Sequence, residues 1–516
     1  MPESNTTVNY TAAFTKEMQR LNENQRLAVA TIEGPVLVIA GPGTGKTQII
    51  ATRIGHMLAT TEAQIQPHNI LCLTYTEAGA IAMRKRLLKI IGTDAHRITI
   101  ETFHAFCNTV IQQNIEYFGR RDLELLSDLE RFALLEEIIN ELEPAHPLRR
   151  LKGAVYFEAG RLQQLFNTMK QEVWTVEHLS EQADLYIKDL PNRDEYIYKR
   201  NTKDKKKGDL KENDIAAEKE KMELLKSAAR LFPVYKMKME KLGRYDYHDM
   251  ILWVIQEFQR NENLLRSFQE RYQYILVDEF QDTNGAQNEI INLLTNYWEA
   301  PNIFCVGDDD QGIYEFQGAR IRNIVDFMQR YAASLQTIVL KENYRSTQAI
   351  LDAAKKVIDN NQLRLAAVDT ALEKKLLAAL PDRKISAAVP VVNEYANDMQ
   401  ETAGITQHIL ALQQQGVPLH EIAILYYRHA HADMLLQLFE KKSIPYQVNR
   451  SINILGQVEI QQLLNIIRYL DQELRKPYTN DALLFEIMHS RWFGLQPCDI
   501  ATISFFANDE KKPQPW

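Results

Sequence analysis

Two apolar patterns alternate along the chain from Leu21 onward. Val36 to Ala40 is an unbroken apolar run closed by a glycine-rich turn, and from Lys46 apolar positions recur at helical spacing. A second run, Ile70 to Thr74, precedes a helical stretch over Ala78 to Ile91. This βαβα alternation predicts an α/β layer with parallel strands. Between about Asn108 and Glu270 the pattern changes to long helical stretches such as Asp128 to Leu142 and Lys219 to Met239, so an all-α insertion is expected. Strand signals return at Tyr274 to Val277 and Ile303 to Val306, both ending in acidic turns, as if the first sheet resumes. Ile338 to Lys341 and Ile422 to Tyr426 predict strands of a second α/β region, and from about Ser451 the pattern is helical to Trp516. The expected domains are therefore 1–107 with 270–340 (first α/β domain), 108–269 (helical insertion), 341–450 (second α/β domain) and 451–516 (start of a second helical insertion).

At 516 residues, 45% of them hydrophobic and 25% charged, the chain can form several packed units. Cys72, Cys107, Cys305 and Cys498 are too scattered for a disulfide framework or a zinc ribbon, which fits a reducing cytoplasm. No basic-then-apolar leader opens the chain, and no run approaches the roughly 18 apolar residues of a membrane span, so no membrane partner is expected. The net charge of −8 excludes a histone-like basic coat but not local nucleic-acid patches. One such candidate is Lys199 to Lys211, with seven basic and two acidic residues, which reads either as a mobile solvated linker or as a phosphate-tracking loop.

The chemistry concentrates at strand ends. Ala40-Gly41-Pro42-Gly43-Thr44-Gly45-Lys46-Thr47 lies between an apolar strand and a helix, where backbone N–H groups wrap phosphates and the helix N-terminus adds partial positive charge. Lys46 would reach the outer phosphates of ATP, and Thr47 would offer its hydroxyl to Mg²⁺. Tyr274 to Asp282 delivers Asp278 and Glu279 to a second strand tip, one carboxylate for Mg²⁺ and the other for polarising the attacking water.

Further blocks stand in order: Leu21-Asn-Glu-Asn-Gln25, Leu73 to Ala80, Thr102 to Phe106, Val306 to Ala319 and Glu342 to Ser346. The collinear set resembles superfamily 1 helicases of the UvrD/PcrA/Rep group over most of residues 20 to 350, with weaker similarity beyond. The resemblance implies two RecA-like P-loop NTPase domains with all-α insertions, and ATP-driven 3′-to-5′ movement along single-stranded DNA and its junctions with duplex. It implies that Gln25 reads the adenine edge, Gln311 senses the γ-phosphate, Tyr344 stacks on adenine and Arg345 is an arginine finger. Tyr75, Phe103, His104 and Phe316 would contact DNA as base platforms or phosphate donors. Gln48 stands where relatives often carry arginine against the adenine, Phe316-Gln317 where many show Trp-Arg, and Glu77-Ala78 where Asn-Lys is common. Tyr245 to Asp249 matches a family acidic-aromatic block and equally an amphipathic helix start. The family's last motifs, including a final arginine, are not found before Trp516, so a C-terminally truncated chain with an incomplete second domain is expected. Alternatives are a nucleotide-gated DNA-binding module without efficient turnover and the motor part of a helicase–nuclease.

Overall fold

The computed structural model describes residues 12–59, 65–119, 123–149, 155–201, 205–312, 321–361, 364–365, 372–385, 389–448, 458–490 and 492–507. The chain divides into two compact units, Met1–Pro390 and Val391–Trp516.

The first unit is built on a parallel sheet. Its strands are β1 (Val36–Ala40), β2 (Ile70–Thr74) and β3 (Thr99–Thr102), then, after a short parallel ribbon of β4 (Glu124–Leu125) and β5 (Arg244–Tyr245), β6 (Tyr274–Val277), β7 (Asn302–Gly307) and β8 (Gln336–Leu340). The sheet order is β3-β2-β6-β7-β1-β8. Side chains alternate between its faces. Leu37 and Ile39 of β1 enter one core with Phe103, Phe106, Val254 and Ile290, while Val36, Val38 and Ala40 enter another with Ile49, Ile54, Met83 and Leu87. Helices cover both faces, which is why these strands read as continuous apolar runs.

Three expectations are adjusted. The insertion has its own core, from Leu126 to Met239, whereas Tyr247–Arg260 and Glu262–Arg271 pack against the sheet, so limits of 108 and 269 are wider than that core. The ends of the basic stretch are held together, with 202–204 outside the described residues: Ile197 and Leu210 form an antiparallel bridge, and Lys206 N donates to Asp209 Oδ2 at 2.7 Å. The strand near Ile338 is the edge of the first sheet, pairing β1 from Val36↔Gln336 to Ala40↔Leu340. Immediately beyond it, β9 (Glu342–Asn343) pairs in parallel with β10 (Leu377–Ala378), still within the first unit.

In the second unit, helices Asp398–Gln414 and Ala430–Lys441 enclose a small core of Ile409, Leu435, Phe439 and Ile444. Ile422 and Ile424 lean on it, but Ile422 to Tyr426 is not an assigned strand. An extended segment becomes a strand only through a ladder partner, and among the described residues of this unit none is assigned to a strand. Helices Val458–Arg475, Asp481–Met488 and Pro497–Ala507 follow, and no described helix is long and apolar enough to cross a membrane.

Candidate nucleotide-binding site

The turn after β1 takes backbone angles that favour glycine: φ is +74° at Gly43 and +90° at Gly45. Buried Thr44 donates its hydroxyl to Gly41 O at 2.7 Å, and Gln48 N and Ile49 N donate to Gly45 O at 2.9 and 3.0 Å, turning the chain into helix Lys46–Ala59. Gln25 braces this loop from helix Glu23–Ala30. Its Nε2 donates to Thr44 O at 2.8 Å, and its Oε1 accepts Asn22 N–H at 3.1 Å. The Gln25 amide is thus committed to the loop and the helix cap at both ends. Gln48 Nε2 donates to Glu17 Oε2 at 2.9 Å.

At the tip of β6, Glu279 sits in a left-handed conformation, φ +50°, which turns its carboxylate toward Lys46, and the two form an ion pair. Asp278 Oδ1 accepts Glu279 N–H at 3.0 Å. Asp278 is only 8% exposed, and burial, with Glu279 beside it, pushes its carboxyl up to about 6 against the opposing pull of Lys46. Asp282 is raised to about 6 for the same reasons. A buried carboxylate whose Oδ2 meets no donor among the described residues suits a cation, so Asp278, with half-buried Thr47 on the neighbouring helix, fits Mg²⁺. The clustered Asp308, Asp309 and Asp310 do not fit one, because Lys374 bonds all three and Arg364 pairs with Asp310 at 2.7 Å.

The end of β9 and the residues after it close over the loop. Tyr344 N donates to Gly43 O at 2.9 Å, and Asn343 Nδ2 donates to Pro42 O. Asn343 Oδ1 accepts Arg345 N and Ser346 N at 2.9 and 2.7 Å, fixing the turn that holds Arg345. A Cβ on Gly43 would lie 2.7 Å from Arg345 Cβ, and one on Gly41 would lie 2.8 Å from Leu376 Cδ1, so glycine admits this cover. Tyr344 accepts from Asn22 Nδ2 at 3.0 Å and donates to Glu342 Oε2 at 2.7 Å. Arg345 is exposed and makes no side-chain ion pair or hydrogen bond among the described residues.

Gln311, on the turn after β7, donates to Asp308 Oδ2 at 2.5 Å. Asp308 N in turn donates to Gln281 Oε1 at 2.8 Å, and Gln281 Nε2 donates to Glu279 Oε2 at 2.9 Å. Sequence reasoning singled out Gln311 but missed Asn343, Gln281 and Lys374. Asn343 was readable as an Asx turn signal, whereas nothing in the surrounding residues marks Lys374.

The proposed DNA residues do not form one group. Phe103 is 2% exposed inside the core shared with Phe106 and Tyr272, so it cannot act as a base platform and that expectation is corrected. Half-buried His104, its pKa lowered to about 4 by burial and His248, has an Nε2 without a partner. Its ring lies 6.2 Å from that of Tyr247, which is 57% exposed. Tyr75 is half-buried just past β2, and Phe316 lies outside the described residues. Asp246 caps helix Tyr247–Arg260 through His248 N and Asp249 N, so the amphipathic helix start is present at the acidic-aromatic block.

A glycine loop between strand and helix, its lysine paired to the acid at a second strand tip, defines a P-loop nucleotide-binding fold. The family model of the UvrD/REP helicase N-terminal domain matches residues 21–332, and that of the UvrD-like helicase C-terminal domain matches residues 338–486. The chain belongs to the UvrD/REP helicase family. It is 27% identical over 493 residues to a protein of Staphylococcus epidermidis named ATP-dependent DNA helicase PcrA, and 27% identical over 499 residues to one of that name in Staphylococcus aureus. In both alignments 95% of this chain is covered, and it spans 58% of the relative's length. The expected truncation and incomplete second domain find no support, because the C-terminal domain model has its match in residues 338–486.

Proposed function

We propose that the chain couples ATP hydrolysis to 3′-to-5′ movement along single-stranded DNA and to duplex opening. The observation that carries this reading is the convergence of Lys46, the Asp278–Glu279 pair and the Asn343–Arg345 turn on one phosphate loop. In this reading Lys46 exchanges Glu279 for the outer phosphates, which frees Glu279 to act as general base. Thr47 and Asp278 would hold Mg²⁺, which would supply neutralisation of charge on the phosphates. Gln311 senses the γ-phosphate, Tyr344 faces the adenine, and Arg345 reaches the γ-phosphate across the cover. Gln25 and Gln48 act by shaping the nucleotide pocket, with Gln25 exchanging a protein partner if it contacts the base. Tyr75, His104 and Phe316 are the proposed DNA contacts, with single strands and their junctions as partners.

DNA-stimulated phosphate release is the test. Wild-type chain should hydrolyse ATP faster with oligo-dT, and Lys46→Ala should lower release by about 100-fold or more, the usual scale for losing a preorganised charge. Unchanged release in Lys46→Ala would remove the site assignment. Nucleotide and DNA binding without stimulated release would favour the nucleotide-gated binding module.

A further inference from the structure

The three aspartates after β7 are fully engaged by cations from residues well beyond the sheet. Lys374 is 3% exposed and bonds Asp308 and Asp309, with Asp310 Oδ2 at 3.2 Å. Arg364 forks onto Asp310 at 2.7 and 3.0 Å, and Leu365 N donates to Asp309 Oδ2 at 2.8 Å. Charge balance alone would be a structural role. Asp308 does more, because its two oxygens serve different partners: Oδ1 takes Lys374 and, at 3.2 Å, the N–H of Asp310, and Oδ2 takes the side-chain amide of Gln311. Its backbone N–H also orients Gln281, whose other end reaches Glu279. Gly307 permits this approach, since a Cβ there would stand 2.9 Å from Gln281 Oε1.

We infer that Lys374 is a positioning residue that, through the Asp308 carboxylate, sets the side chain of Gln311 and thereby lets the segment after Arg345 report to the γ-phosphate end of the site. The inference rests on the nucleotide reading above. A buried carboxylate held by an ammonium, a backbone N–H and an amide has one low-energy orientation, and removing the ammonium takes away its charge-assisted bond, leaving Oδ1 on the weaker Asp310 N–H and the carboxylate less firmly set. Gln311 would then lose its fixed acceptor. Lys374 touches no substrate in this scheme.

The test is a comparison of two nucleotides on the full chain with Mg²⁺: the non-hydrolysable triphosphate AMPPNP and ADP. Lys374→Met leaves the acids short of one positive charge, so the charge-matched double variant Lys374→Met/Asp309→Asn is measured beside it. Wild type should prefer AMPPNP, and both variants should lose about 10-fold or more of that preference while ADP affinity stays within about 2-fold, the scale seen when a supporting hydrogen-bond partner is removed. Lys374→Arg keeps the charge but spreads it over a planar fork, so it should fold with an intermediate preference, and it supplies the same readout if the methionine variants do not fold. An unchanged preference, or equal loss of both nucleotides, would overturn the inference. Failure of wild type to bind either nucleotide, or equal binding by Lys46→Ala, would instead overturn the reading on which it rests.

Discussion

At the scale of single residues, Asp278 joins function to stability. Its carboxyl titrates at about 6 in the folded chain against 3.8 as its reference value, because burial disfavours the charge. The folded state therefore holds an extra proton between about pH 4 and 6, and this residue's contribution to stability is present below that window and lost as pH rises through 6. Asp278→Asn should raise the melting temperature at pH 7, by an amount equivalent to roughly 3 kcal/mol, and change it little at pH 4. Equal gains at both pH values would disprove burial strain as the cause. That Lys46, Asp278 and Glu279 come together was legible because the three stand at two strand tips. Phe103 was not read correctly, although Phe103, Phe106, Cys107 and Val110 share helical spacing and form the buried stripe of helix Phe103–Gln113. A family motif drew the eye to the aromatic ring, whereas the 3.6-residue period had already assigned it to the core.

Among elements, the helix Tyr247–Arg260 shows what a sequence hides. Its capping box, Asp246 with Asp249, was visible as a spacing. Lys170, 76 positions earlier, was not, yet it lies buried against both carboxylates at 2.7 and 2.8 Å and ties helix Ala159–Gln171 of the insertion to a helix under the sheet. Asp246→Ala removes a cap and leaves that cation with a single carboxylate partner, so unfolding in urea should show a loss of about 3–5 kcal/mol. Adding Lys170→Met should recover a large part of it, and absence of recovery would assign the loss to the cap alone. Five of the six sheet strands were legible because each is a largely apolar run, whereas β3 was not, since Ile100 is the one buried residue among Thr99, Ile100, Glu101 and Thr102. Ile422 to Tyr426 carries a similar signal without the result, since pattern records which face is apolar but not whether a ladder neighbour is present. Gly43 sets a comparable limit at the loop. Gly43→Ala should weaken AMPPNP binding and lower the melting temperature, because a Cβ there needs both a left-handed backbone and the space held by Arg345.

For the whole molecule, the compact unit runs to Pro390, whereas the first family model ends at residue 332. All the proposed nucleotide contacts fall before that unit boundary, so a piece comprising residues 1–390 should bind AMPPNP with affinity close to that of the full chain. Fluorescence titration of the two checks it, and a loss of about 10-fold or more would assign part of the site to the second unit. This boundary was not readable from sequence, because it depends on pairings such as β8 with β1 and Tyr344 with Gly43 that join distant residues. Those pairings constrain how the gene can be divided. A cut between the two family models would uncover the hydrogen-bonding edge of the very strand that carries the phosphate loop, and such an edge recruits other chains. Insolubility of that shorter piece would therefore reflect where the scissors fell, and nothing about the proposed activity.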